Sequence, residues 1–187
     1  MTLGARLHRW FSGRCNLIAD QRGMSAVEFA LILPVMVLIY LGGFELTQAL
    51  SIKRQVSLTA STVTNVVSQY TTISASQQMP DILNASVQVM TPYTTTNATV
   101  VVSGITISST GVATVAWSQA LPSGSARTVG STVTLPAALD TPGGFLVFGE
   151  TTYAYTPLID YVNMGTISLY SSLYMLPRAS TTINLAT

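Results

Sequence analysis

Few residues in this sequence could carry acid–base, nucleophilic or metal chemistry. The single Cys and the single His, Cys15 and His8, both lie within the first fifteen residues. The acidic side chains of the outer part of the chain are Asp81, Asp140, Glu150 and Asp160. Two carboxylates can hydrolyse a glycoside when a fold brings them together, but only Glu150 and Asp160 are close along the chain. We therefore predict a protein that is not an enzyme and that holds no metal and no cofactor.

The composition narrows the class of protein further. Charged residues make up 8% of the 187 residues, hydrophobic residues make up 48%, and the formal net charge is +1. Ordinary soluble domains contain about 25% charged residues, and nucleic-acid binding depends on a basic surface. Disorder driven by charge and nucleic-acid binding are therefore both excluded.

The charges are unevenly distributed along the chain. Residues 1–23 have a net charge of +3, from Arg6, Arg9, Arg14 and Arg22 against Asp20, and the remaining residues have a net charge of −2. The run from Phe29 to Phe44 then contains sixteen residues without a charge. A basic head before an apolar run is typical of a single membrane pass with its N-terminus in the cytoplasm. We expect Phe29 to Phe44 to be transmembrane.

Two carboxylates, Glu28 and Glu45, flank this uncharged run. Sixteen helical residues reach about 24 Å, less than the roughly 30 Å of the hydrocarbon core, so the span includes one or both acids. Three interpretations are open: both acids lie at the lipid interfaces, the segment is a cleaved secretory signal, or Glu28 has a partner. The secretory signal fits poorly, because the region before the apolar run is long and only Thr47-Gln48-Ala49 offers a cleavage pattern.

The third interpretation is supported by the segment Arg22-Gly23-Met24-Ser25-Ala26-Val27-Glu28-Phe29. It resembles the prepilin-peptidase site of type IV pilins and pseudopilins, with a basic leader ending in Gly and a cut after that Gly. The cut would leave a cationic α-amine on Met24, one helical turn from Glu28, and an i, i+4 pair results. In a helical assembly the same carboxylate could instead meet the amine of a neighbouring subunit.

The longer run RGMSAVEFALILP, which includes Pro34, resembles the start of the TadE-like pseudopilins of the tight-adherence (Tad, or Flp) pilus system. The end of the chain is similar to that family too, in Glu150, in Tyr153 to Leu158 and in Pro177-Arg178. The resemblance implies a site with Gly23 and Met24 for processing and Glu28, Phe29 and Pro34 for assembly or recognition. It also implies partners: a prepilin peptidase, other pilins and pseudopilins, and pilus platform proteins of the bacterial inner membrane.

We expect an α+β protein in which a long N-terminal transmembrane helix continues into a periplasmic head, as in a pilin. The predicted segments of the chain are a cytoplasmic leader at 1–23, a transmembrane helix at 24–52, a periplasmic helix extension at 53–75 and a periplasmic α+β head at 76–187. The extension is predicted to run to about Tyr70, because apolar residues there recur at helical spacing: Ile52, Val56, Ala60, Val63, Val67 and Tyr70.

Within the head, the pattern predicts a short helix with Pro80 in its first turn that ends before Pro92. Two β-rich runs around Ser109-Thr110-Gly111 predict an antiparallel hairpin, with Trp117 in the core beneath it or, alternatively, stacked on a sugar. A long loop is predicted at 121–144. Strands are predicted from Phe145 to Tyr155, with a bulge at Gly149, and from Thr166 to Leu176, with one apolar and one tyrosine-rich face. The polar tail after Arg178 is predicted to fray.

Two functions remain open from the sequence. The first is a minor pilin or pseudopilin of a Tad/Flp-type apparatus, cut after Gly23 and assembled through its N-terminal helix. The second is an exported adhesin or binding domain that stays anchored in the membrane and needs no cut. A third, weaker hypothesis is a carboxylate-dependent hydrolase that uses Glu150 or Asp160.

Overall fold

The computed structural model describes residues 21–121, 124–157 and 165–186. Its two α-helices are α1 (Gln21–Val67) and α2 (Gln78–Val87). Its strands are β1 (Thr72–Ser74), β2 (Ala98–Ile107), β3 (Ala113–Ala120), β4 (Phe145–Tyr155), β5 (Ile167–Met175) and β6 (Asn184–Ala186). The chain divides into two compact units, one up to Phe44 and one from Glu45 onward. The predicted α+β class, with a long apolar helix, a short helix and an antiparallel sheet, is confirmed.

Four strands form the main sheet of the second unit. Their order is β3-β2-β4-β5, and every neighbouring pair is antiparallel. The predicted hairpin is β2 and β3, and Gly111 takes a φ of +80° in the turn between them. That left-handed conformation is accessible to glycine without the steric penalty that a Cβ would bring.

The main core lies between the sheet and the helices. The apolar stripe predicted on α1 is buried, with Ile52, Val56, Ala60, Val63 and Val67 all at most 4% exposed. It packs with α2 and with alternate residues of β4, including Phe145, Val147 and Tyr153. Each large apolar side chain buried in this way contributes about 1.5–3 kcal/mol. The buried stripe of α1 and the alternate buried residues of β4 therefore identify the same face of the sheet as the one that packs against the helix.

Gly149 does not form the predicted bulge. Pairing of β4 with β2 and with β5 is regular through Gly149, and the irregularity lies instead between Gly104 and Ile105, in the pairing of β2 with β3. A Cβ at Gly149 would run into Oγ1 of Thr64 and would lie 3.1 Å from the carbonyl oxygen of Ala60. The glycine is needed because α1 passes directly over β4 at this point.

A second, smaller core lies on the opposite face of the sheet. Leu146 and Phe148 of β4 pack there with Ile105 and Ile107 of β2, since neighbouring residues of a strand point to opposite faces. The partly buried residues that cover them come mostly from the predicted loop: Val133, Leu135, Leu139 and, from β5, Tyr174. In its described part this loop contains one short 3₁₀ turn, Ala137–Leu139. It therefore acts as a cover for the sheet.

Two predictions about segment ends are wrong. Helix α1 ends at Val67, three residues before Tyr70, and the segment up to residue 75 contains the strand β1. Ile73 is 0% exposed in β1, which pairs in parallel with β6. The tail after Arg178 is not frayed, because β6 pairs in parallel with β1 and Ile183 is 1% exposed.

Candidate functional site

Helix α1 carries the whole predicted processing and assembly segment. Gly23, Met24, Glu28 and Phe29 are all helical, so Met24 and Glu28 lie one turn apart on one side of the helix. Met24 is 65% exposed and Phe29 is 60% exposed, and Glu28 is exposed as well. Hydrogen bonds and ion pairs of the described residues include none to Glu28. Its carboxylate is therefore accessible to a partner group.

The apolar run is exposed on all sides of the helix. Every residue from 24 to 40 is exposed, including Leu31, Ile39 and Tyr40 at 70% or more. Among the described residues, one helix is long and apolar enough to cross a membrane, with a mean hydropathy of 2.2 in its most apolar eighteen-residue window. A helix that is apolar all round needs lipid or other protein around it. The predicted span from Phe29 to Phe44 lies within this helix.

Pro34 lies inside α1, which continues through it without a break in its helical assignment. Proline has no N–H, so the carbonyl of Ala30, four residues earlier, loses its usual helical donor. In a bilayer such a carbonyl is satisfied by neighbouring helices or local adjustment. Pro34 is therefore compatible with a membrane helix that packs against others.

Glu45, at the C-terminal end of the apolar run, is bonded to the main sheet. The hydroxyl of Tyr155, in β4, donates a hydrogen bond of 2.5 Å to Oε2 of Glu45. Burial, together with this hydrogen bond to a carboxylate, raises the pKa of Tyr155 to about 12. The phenol thus stays protonated and remains a donor at any physiological pH. The purely interfacial interpretation of Glu45 misses this partner.

The head also contains an ion pair that the sequence did not predict. Arg127, in the long loop, binds Glu150 of β4 through both oxygens, with Nε–Oε2 at 2.6 Å and Nη2–Oε1 at 2.9 Å. The hydroxyl of Tyr170 donates to Oε1 of the same carboxylate at 2.8 Å. The guanidinium carbon of Arg127 lies 5.1 Å from the ring centre of Phe148. This cluster fastens the loop to the sheet.

The electrostatics of the cluster follow from these contacts. The hydrogen bonds to Glu150 raise the pKa of Arg127, and burial raises the pKa of Tyr170. Glu150 is thus an acceptor held by a permanent cation. Of the other predicted carboxylates, Asp81 and Asp140 are exposed and Asp160 lies outside the described residues. Across the described ranges, no group of three or more His, Cys, Asp or Glu side chains could hold a metal ion.

Trp117 has the predicted place in the core. Its side chain is 7% exposed, and its indole Nε1 donates to the carbonyl oxygen of Ile183 at 2.7 Å. Both the ring and its one polar atom are therefore occupied within the chain. Trp117 is therefore a core residue.

Comparison with known proteins gave a family match in the N-terminal part of the chain. The family model described as TadE-like protein matches residues 23–65, less than a quarter of the chain. No significant match was found among curated proteins or among solved structures. The matched segment starts at Gly23 and contains Met24, Glu28, Phe29 and Pro34. The similarity predicted for the C-terminal part lies outside it and stays a prediction.

The N-terminal apolar helix and the match together indicate a membrane-anchored protein whose residues 23–65 are similar to the TadE-like family. The resemblance to TadE-like proteins that the run RGMSAVEFALILP indicates is confirmed over residues 23–65.

Proposed function

We propose that this chain is a minor pilin or pseudopilin of a Tad/Flp-type pilus assembly or secretion apparatus. A prepilin peptidase cuts it after Gly23, and the mature protein assembles through its N-terminal helix. It is then a substrate and a structural part, and not a catalyst. The observation that carries this proposal is the exposed apolar run of α1, preceded by the exposed carboxylate of Glu28 one helical turn after Met24.

The cost of placing Glu28 near lipid supports the proposal. A carboxylate at the bilayer centre costs about 2.5–3.5 kcal/mol, and less towards the interface. Glu28 is exposed and receives no hydrogen bond from a described residue, so its compensation has to come from elsewhere. The α-amine created on Met24 is a suitable partner, either within the same helix or from a neighbouring subunit. Burial of the pair then favours one helix register over others.

The charge pattern sets the expected orientation and location. The basic leader places the N-terminus in the cytoplasm, and the head then lies in the periplasm or outside the cell. The membrane is the bacterial inner membrane, where the peptidase and the pilus platform proteins act. Other pilins and pseudopilins are the partners of the apolar helix, and the head carries the contacts that distinguish this subunit.

Exchange of Glu28 for Gln tests the proposal. We expect the variant to be inserted and cut after Gly23, but to enter the pilus apparatus poorly, because the register-setting charge is lost. The matched control is Glu45→Gln, the same exchange at the other end of the apolar run. A glutamine there still accepts the hydrogen bond from Tyr155, so assembly should be retained. The measurement is the amount of each variant that copurifies with the other pilus components.

Normal assembly of Glu28→Gln would contradict the proposal. If, in addition, the native protein carried an intact leader, the alternative of a permanently anchored adhesin or binding domain would be favoured.

A further inference from the structure

The two edges of the main sheet are protected to different degrees. At the β3 edge, the loop forms backbone hydrogen bonds with the strand. The N–H of Val115 donates to the carbonyl oxygen of Ser131 at 3.0 Å, and the N–H of Gly130 donates to the carbonyl oxygen of Val115 at 2.8 Å. Thr114 and Thr132 form an antiparallel bridge at the same place. No strand of the described residues covers the outer side of β5, the other edge. An open edge with unpaired N–H and C=O groups is a template for another strand.

One side chain does reach the open edge of β5. The ammonium group of Lys53, on α1, donates a hydrogen bond to the backbone carbonyl of Tyr170. The N–H and C=O of one residue leave a strand on the same side, and the side alternates along the strand. Backbone groups that point to the free edge therefore belong to Ser168, Tyr170, Ser172 and Tyr174. The strand itself has no charged residue and no proline that would discourage pairing.

We propose that the free edge of β5 is a strand-addition site for a second copy of this chain, and that Lys53 weakens this pairing. The strand matches itself in an antiparallel pair whose two-fold axis passes through Ser171. Tyr170 then exchanges hydrogen bonds with Ser172 of the second copy, and both residues have the required orientation. On the face towards the helices, Leu169 meets Leu173 of the second copy.

Other registers match less well. A shift of the axis to residue 170 keeps the hydrogen-bonding pattern but places Leu169 opposite Ser171 of the second copy. A shift to residue 172 places Leu173 opposite Ser171 instead. Since cross-strand apolar pairs are a main source of sheet stability, the register centred on Ser171 is favoured.

Lys53 opposes the pairing by two routes. Its ammonium group occupies the carbonyl of Tyr170, which would accept from Ser172 of the second copy. The two Lys53 side chains would also approach each other near the axis, where like charges repel. The contact is therefore expected to be weak and reversible in the natural chain. The pairing does not depend on cleavage after Gly23 or on assembly into a pilus.

Disulfide trapping of the full chain in detergent tests the register. In a Cys15→Ser background, Ser171→Cys places two thiols in a pair without hydrogen bonds, with Cα atoms about 4.5 Å apart, within disulfide reach. Ser168→Cys, equally close to the edge, places them roughly 20 Å apart. We expect oxidation to give dimers of the Ser171→Cys chain and few of the Ser168→Cys chain. Equal dimer yields from the two chains would overturn the proposal.

The contribution of Lys53 is tested in the Ser171→Cys chain. Lys53→Gln should raise the dimer yield about threefold, the size expected for an exposed charge interaction. The matched control is Arg54→Gln, which removes the neighbouring exposed cation and should leave the yield unchanged. Equal yields from the two variants would overturn the part of the proposal that concerns Lys53.

Discussion

The phenol of Tyr155 donates a 2.5 Å hydrogen bond to the carboxylate of Glu45. The acid at the C-terminal end of the apolar run is thereby joined to an inner strand of the sheet. Glu45 and Glu28 flank the same uncharged run but differ in this respect: Glu28 is exposed and has no bond to a described residue. One acid is satisfied by the chain's own fold, and the other remains for a partner.

Removal of the Tyr155 hydroxyl should therefore destabilise the head. We expect Tyr155→Phe to lower the free energy of unfolding by about 1–3 kcal/mol, since Glu45 loses a buried donor. The control is Tyr153→Phe, two residues earlier on the same strand, where the side chain is 5% exposed and packs in the main core. Thermal unfolding of the full chain in detergent measures both. An equal loss in the two variants would contradict a special role for the bond to Glu45.

The same bond predicts a loss of stability at high pH. The pKa of Tyr155 is about 12 in the folded protein, against 10.0 for an unperturbed tyrosine. A pKa raised by folding stabilises the protein fully below the unfolded value and loses that effect as the pH rises through the folded value. We expect this contribution to be constant up to about pH 10 and to disappear towards pH 12. The free energies of unfolding of the natural chain and of Tyr155→Phe should therefore converge over this range. A constant difference between them would contradict the raised pKa of Tyr155.

Gly149 should tolerate no side chain. An alanine there would place its Cβ against Thr64 and 3.1 Å from the carbonyl oxygen of Ala60, where backbone cannot easily move. We expect Gly149→Ala to cost about 1–3 kcal/mol, as other overpacked cores do, and Thr64→Ala in the same chain to restore part of the loss. Gly42→Ala is the control, because a Cβ there meets nothing within 4 Å. Unchanged melting of Gly149→Ala would show that α1 and β4 are not so close.

Local patterns in the sequence were enough for much of the fold. The spacing of Ile52, Val56 and Val63 identified the buried side of α1, because a helix repeats every 3.6 residues. Gly111 between two β-rich runs identified the hairpin. The alternation along β5 predicted its two faces correctly. Leu169 packs on the main core, and Tyr170, on the other face, is 44% exposed.

Features that depend on contacts between distant segments could not be predicted. Gly149 suggested a bulge, because nothing in its neighbourhood shows that a helix crosses there. Strands β1 and β6 have three residues each, too few for a periodic signal, and they pair across more than a hundred residues. Arg127 lies in a loop without periodicity, so its contact with Glu150 had no local signal. The one signal in the sequence was Glu150 itself, because an acidic residue within a strand needs a cationic or hydrogen-bonding partner.

The most direct test of the central claim is the N-terminal residue of the mature protein, determined by mass spectrometry on native material from cells that contain the prepilin peptidase. The account predicts a chain that begins at Met24 and lacks all of residues 1–23. A functional, assembled protein that still carries the basic leader would contradict it.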